Sequence, residues 1–282
     1  MNIHPAAVVS PTAKLSPHTT IGPFCMVEPH AVIGAGCILE SGAVVKTGAV
    51  LGENNHIFEG AVIGGLPQHA HMPERPGKVI IGSGNTIREN TTIHRALDED
   101  KATLVGDGNL IMGNIHIAHD CILGNNTIIT NNSLLAGHVE LGDRAYISGA
   151  VAVHQFCRIG TLAMVGGQAH VVQDIPPFVT VDGLSSLVVG LNRIGLRRAG
   201  FLVEDMRLLK AAYQVVYRAG LTWSDTLERL KSEFPEGPAS LFYSFLSATE
   251  RGITSERRLP PKATIKLHQD EQPEANKQAK AG

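Results

Sequence analysis

The sequence predicts an all-β chain wound as a parallel β-helix and followed by a small α-helical domain. Three observations carry this. From Ile3 to Val171 every sixth residue is aliphatic except His69, Arg75 and Glu99, so 26 of 29 slots hold Val, Ile or Leu and chance is excluded. A glycine often follows the aliphatic residue, as at Gly34, Gly52, Gly82, Gly106, Gly124, Gly142 and Gly160. A small residue often stands four places after it, as at Ala31, Ala43, Thr127, Ser133 and Ala163.

A period of six matches neither the helical repeat near 3.6 nor the alternation of one uninterrupted strand. It matches a short strand plus a corner, repeated. The aliphatic and the small residue face inward, and the glycine is expected to relieve the backbone where the chain bends. With three hexads to a triangular coil, the pattern resembles the left-handed parallel β-helix built from hexapeptide repeats. Residues 18 apart then lie on adjacent rungs, which puts His119 beneath Gly137, Asp120 beneath His138 and Gly149 beneath Gly167.

The solenoid is expected over 1–175. Two segments leave the rhythm without shifting its phase: a Pro-rich loop at about 65–78 and a shorter charged excursion from Arg95 to Thr103. Long loops on rigid scaffolds often carry function. Pro176-Pro177 is expected to end the solenoid, with 176–190 a connector and 191–256 a helical domain that covers the open edge of the last coil. Its helices read as a short basic one through Arg198, then Glu204–Ala219, Thr222–Phe234 and Pro238–Arg251, with Thr222 and Ser224 as N-cap candidates. Residues 257–282 read as a disordered tail.

Composition narrows the function. A net charge of −2 gives no basic field for nucleic acid. No apolar run has transmembrane length and no leader pattern opens the chain, so the expectation is a soluble cytoplasmic protein with no membrane insertion. Cys25, Cys37, Cys121 and Cys157 share the small inward slot, which makes them core fillers.

The chemistry gathers in the later coils, where His116, His119, His138 and His154 all avoid the inward slots. Zinc carbonic anhydrases on similar solenoids use an H-x4-H pair, and no two histidines here are five apart. His69-x-His71 lacks an evident third ligand. No metal and no cofactor is therefore expected. The alternative is His119 as a general base on a hydroxyl, oriented by a carboxylate, with a backbone amide steadying the oxyanion of an acyl transfer. No nucleophile elbow is present, which favours direct attack.

TTIHRA (91–96), GNIHIAHDCILGNN (113–126), LLAGHVELGD (134–143), VAVHQFCRIG (151–160), MVGGQAHVVQDIPPFV (164–179) and GLNRIGLRRAGF (190–201) together resemble the acyl-ACP–UDP-N-acetylglucosamine O-acyltransferases. The resemblance spans nearly the whole chain. It implies transfer of a 3-hydroxyacyl chain from acyl carrier protein to the sugar 3-hydroxyl of UDP-GlcNAc, the first step of lipid A biosynthesis. It also implies a homotrimer with its sites between subunits. His119 is then the base, Asp120 its partner and the Gly137 amide the oxyanion donor. Gln68, His71, His116, His138, His154 and Gln155 contact substrate, Asn192 and Arg198 reach the nucleotide, and Met164 and Gly167 end the acyl groove. The acidic carrier would meet Arg193, Arg197 and Arg198. His69, His71, Ser185, Ile194 and Ala199 depart from the family pattern, all on the substrate side. That keeps open N-acylation of a 3-amino sugar, another hexapeptide-repeat acyltransferase, or a non-catalytic scaffold.

Overall fold

The computed structural model describes residues 1–257; the expected tail at 257–282 lies, beyond its first residue, outside the described residues. The chain forms a left-handed parallel β-helix of three faces. Face one has eleven strands from Asn2–Ile3 to Val188–Leu191, face two nine from Val8–Val9 to His170–Val171, and face three eight from Lys14–Leu15 to Arg158–Ile159. Adjacent rungs pair 18 residues apart, as in Ile3↔Ile21, Ile111↔Ile129 and Leu135↔Val153. Across the two excursions the offset grows to 30 (Ile63↔Ile93) and 24 (Ile81↔Val105). Both are multiples of six, which is why the hexad phase survives them.

The aliphatic slots fill the column: Ile33, Leu39, Ile57, Ile87, Ile111 and Ile147 are all fully buried. The small slot packs between them. The four cysteines there are free and buried, and Cys121 Sγ donates to the Ala136 carbonyl of the next coil at 3.2 Å. Burial pushes that thiol up to about 12, so it behaves as a small hydrophobe. In the same slot Asn55, Asn85, Asn109 and Thr127 form an internal ladder, each Asn Oδ1 accepting the next residue's N–H at 2.7–2.9 Å.

The glycines after the aliphatic residues play a different part from the one expected. Apart from Gly64 they do not adopt positive φ; that conformation falls at the third residue after the aliphatic one, as at Asn114, Asp120, Asn126, Asn132 and His138. What Gly34, Gly52, Gly106 and Gly124 supply is close approach. A Cβ on any of them would run into the next rung at the corner between faces three and one.

Strand pairing continues past Pro176-Pro177, within the expected connector. Val179–Val181 adds a parallel strand to Met164–Val165, and Val188–Leu191 returns antiparallel against it. Proline here sits between strands, where no ladder N–H is required of it. Four helices follow among the described residues: α1 (Arg193–Arg198), α2 (Val203–Tyr217), α3 (Trp223–Glu233) and α4 (Ser240–Ser247). Thr222 caps α3 by accepting the Asp225 N–H, while Ser224 lies inside the helix. Phe178 plugs the end of the column edge-on to Phe201 and Phe242. Backbone completes the cover, with Asp174 bonded to both Gly252 and Thr254.

Candidate active site

The histidines collect at the corner between faces two and three. His119 and Asp120 follow the strand His116–Ile117, and the turn needs Asp120 at φ 61°. Asp adopts this left-handed conformation more readily than most residues. The Asp120 N–H donates to Thr103 Oγ1 at 2.8 Å, and its Oδ2 accepts the Leu97 N–H at 3.1 Å from the 95–103 excursion. The same oxygen lies 2.9 Å from His119 Nδ1. A carboxylate only accepts, so the imidazole proton sits on Nδ1 and Nε2 keeps a lone pair.

On the next coil, Gly137 stands directly over this ring. A Cβ there would come within 2.6 Å of His119 Cε1, so only glycine lets the ring lie in place. The ladder uses the N–H groups of Ala136 and His138, to Val153 and His119, and among the described residues it gives the Gly137 N–H no acceptor. His138 stacks on Phe156 with ring centroids 4.5 Å apart, and its Nε2 is 3.9 Å from Asp120 Oδ2. Burial lowers the pKa of His138 against the opposing pull of Asp120. His116 Nδ1 is 3.0 Å from Thr92 Oγ1, and its pKa is lowered, chiefly by burial. Lowering favours the imidazole without net charge, the form that can accept a proton.

His94, absent from the sequence-derived site residues, is buried beside His116 with ring centroids 4.9 Å apart. A signal was available: it occupies the slot one after the aliphatic residue, shared by Ala118, Ala136 and His154 on the following coils. His154 and Gln155 are exposed higher on the same corner. The projecting loop folds back toward His119, and the ring that meets it is His69, edge-on at 5.7 Å. Gln68 and His71 flank it and are exposed, with His71 N–H donating to His69 Nδ1.

The remaining candidates occupy the opposite side of the triangle. A cleft of about 1040 Å³ runs up the outer surface of face one, past Ile128, Tyr146, Met164 and Thr180, to Arg144, Arg193, Arg197 and Arg198. Ile194 and Ala199 also line it, so two departures from the family pattern lie in this cleft. Asn192 lines it too, but its side chain holds α1: Oδ1 accepts the Gly195 N–H and Nδ2 donates to the Leu162 carbonyl. Gly167 sits at the corner between faces one and two, above Gly149. One chain thus separates the histidine corner from the arginine cleft.

Among the described residues, His119, Asp120 and His138 offer ligand atoms within 4.8 Å of one another. Such a donor set is compatible with zinc. The arrangement present is a hydrogen-bonded one, since Asp120 Oδ2 already serves His119 Nδ1 and the Leu97 N–H. No helix among the described residues is long and apolar enough to cross a membrane.

Comparison with known proteins bears on this geometry. The family described as Udp N-acetylglucosamine O-acyltransferase, domain 2, matches residues 174–254, and the bacterial transferase hexapeptide (six repeats) family matches 12–47 and 102–137. The acyl-(acyl-carrier-protein)–UDP-N-acetylglucosamine O-acyltransferase of Verminephrobacter eiseniae is 43% identical over 258 residues, 89% of this chain and 98% of that protein. The protein of the same name from Burkholderia orbicola is 43% identical over 196 residues, 67% of this chain and 75% of the relative. The crystal structure of the Francisella novicida UDP-N-acetylglucosamine acyltransferase superposes with a TM-score of 0.88 at 37% identity, covering 91% of this chain and 95% of that one.

Proposed function

Since the chain belongs to the acyl-(acyl-carrier-protein)–UDP-N-acetylglucosamine O-acyltransferases and is an acyltransferase, we propose that it moves a 3-hydroxyacyl chain from acyl carrier protein to the sugar 3-hydroxyl of UDP-GlcNAc, the entry step to lipid A. The observation that carries this is the stacked trio of His119, Asp120 and Gly137. His119 Nε2 takes the hydroxyl proton, and Asp120 holds the Nδ1–H and stabilises the imidazolium. The sugar oxygen attacks the thioester carbonyl, whose developing oxyanion is met by the Gly137 N–H. Collapse breaks the C–S bond, and the departing carrier thiolate recovers the proton from His119. Removing such a base costs on the order of 10²–10⁴ in rate.

The opposed positions of the histidine corner and the arginine cleft support sites shared between copies of this chain, as in a homotrimer. Face two of one copy would then meet face one of the next, which brings His116 and His119 to Arg198 and Met164. A cytoplasmic setting follows from the carrier-bound donor.

The test is acyl transfer by the purified chain from 3-hydroxyacyl carrier proteins of several lengths, with UDP-GlcNAc and its 3-amino analogue offered side by side. Transfer that disappears in folded His119→Ala supports the mechanism, and preference for the amine would replace ester by amide formation. Mixing His119→Ala with Arg198→Ala should restore part of the activity by forming intact sites between different chains. No recovery after subunit exchange would place the whole site in one chain.

A further inference from the structure

His94 takes no part in the steps above, yet it is only 7% exposed. Its Nδ1 lies 2.7 Å from the carbonyl oxygen of Leu66. That carbonyl can only accept, so the ring must be protonated at Nδ1. Nε2 is then left buried without a partner among the described residues. A buried acceptor without a bond is costly, so the tautomer is kept for what Nδ1–H does.

Leu66 is the first residue beyond the strand Val62–Gly65 and opens the projecting loop. Gly65 makes room for the ring, since a Cβ there would sit 3.0 Å from His94 Nδ1. The residues after His94 hold the feet of the same loop through backbone bonds. The Arg95 N–H donates to the Gly65 carbonyl, the Gly77 N–H to the Ala96 carbonyl, and the Ala96 N–H to the Lys78 carbonyl. His94 extends this grip into the loop itself, three residues before His69, whose ring rests 5.7 Å from that of His119. We infer that His94 is a positioning residue: its Nδ1–H latches the Leu66 carbonyl and so fixes the 66–77 loop, with Gln68 and His69, at the height of the catalytic histidine.

Its kinetic consequence rests on the acyl-transfer reading; the loop geometry does not. Three variants of the full chain separate the possibilities, because an Asn side-chain NH2 can stand in for Nδ1–H and a Gln NH2 for Nε2. Amide hydrogen exchange over 66–77 is measured beside steady-state kinetics for UDP-GlcNAc at saturating acyl carrier protein. His94→Asn should keep wild-type exchange and KM. His94→Gln and His94→Ala should speed exchange in the loop alone and raise KM about tenfold, the worth of roughly one hydrogen bond, with a smaller change in kcat. Retention by Gln rather than Asn would overturn the latch in favour of a role for Nε2. Unchanged exchange in all three would overturn it outright, and equal losses in all three with a lower Tm would reduce His94 to packing. If no variant and no wild-type chain transfers acyl groups, the exchange result still decides the latch while the acyl-transfer reading falls.

Discussion

Two corners of this prism use the same hexad slot, two residues after the aliphatic one, and differ in how its polar groups are paired. Between faces three and one the slot holds Ser83, Asp107, Asn125 and Asp143. Three corner N–H groups there are taken by the next coil's side chain: Ser83 by Asp107 at 2.6 Å, Asp107 by Asn125 at 2.8 Å and Asn125 by Asp143 at 2.7 Å. Between faces two and three the slot holds Gly65, Arg95, His119, Gly137 and Gln155. Gly137 has no side chain, so the His119 ring fits, and Gln155 one coil on leaves the Gly137 N–H without an acceptor among the described residues. A column whose N–H groups are bonded by the coil above is scaffold. Where the slot instead holds Gly137 and a Gln155 side chain unbonded among the described residues, a ring nitrogen and an N–H keep unused capacity.

That contrast can be broken by substitution. His119→Ala should lose about 10²–10⁴ in kcat with Tm unchanged, read by steady-state kinetics beside calorimetry. Gly137→Ala restores the missing Cβ, displaces the ring and should cost on the order of 10²–10³ in kcat, the scale of a lost oxyanion donor. Retained activity in a folded Gly137→Ala protein would refute the account of this corner. Acid should act on one corner more than the other. His94, His116 and His138 are all held below the ordinary imidazole value of 6.5. The unfolded chain therefore binds more protons than the folded one as pH drops below about 6.5, and the stability these rings contribute, complete above that value, is lost toward their folded pKa values. Thermal scans from pH 8 to pH 5 should show a falling Tm, with a shallower fall in His116→Asn. The smallest effect belongs to the bonded corner: Asp107→Ala should cost about 1 kcal/mol by chemical denaturation and leave kcat and KM untouched.

The hexad made the winding legible because an inward aliphatic slot is a property of each residue with its neighbours six away, and the same arithmetic placed His119 under Gly137. The spacing could not tell a glycine that bends the chain from one that lets another backbone close in, since both appear as the same letter in the same slot. The proline pair looked like an end because sequence shows the missing N–H and not that the position between strands needs none. His94 escaped, and His69 was seen only as a departure on the substrate side, for a related reason. The first is set by a carbonyl on a loop 28 residues earlier in the chain, the second by how that loop folds back. The separation of the arginine cleft from the histidine corner depends on which face each hexad occupies, and motif similarity alone runs the two together.

The bond from the Leu97 N–H to Asp120 Oδ2 has a pharmacological side. It ties the orientation of Asp120, the proposed partner of His119, to a turn whose tip, Asp98 to Asp100, is exposed and lies outside the arginine cleft. A compound or antibody that drew this turn outward would strip Asp120 of one of its donors and disturb its bond to His119, the proposed base. Such an inhibitor would act through a backbone tether and not by filling the arginine cleft.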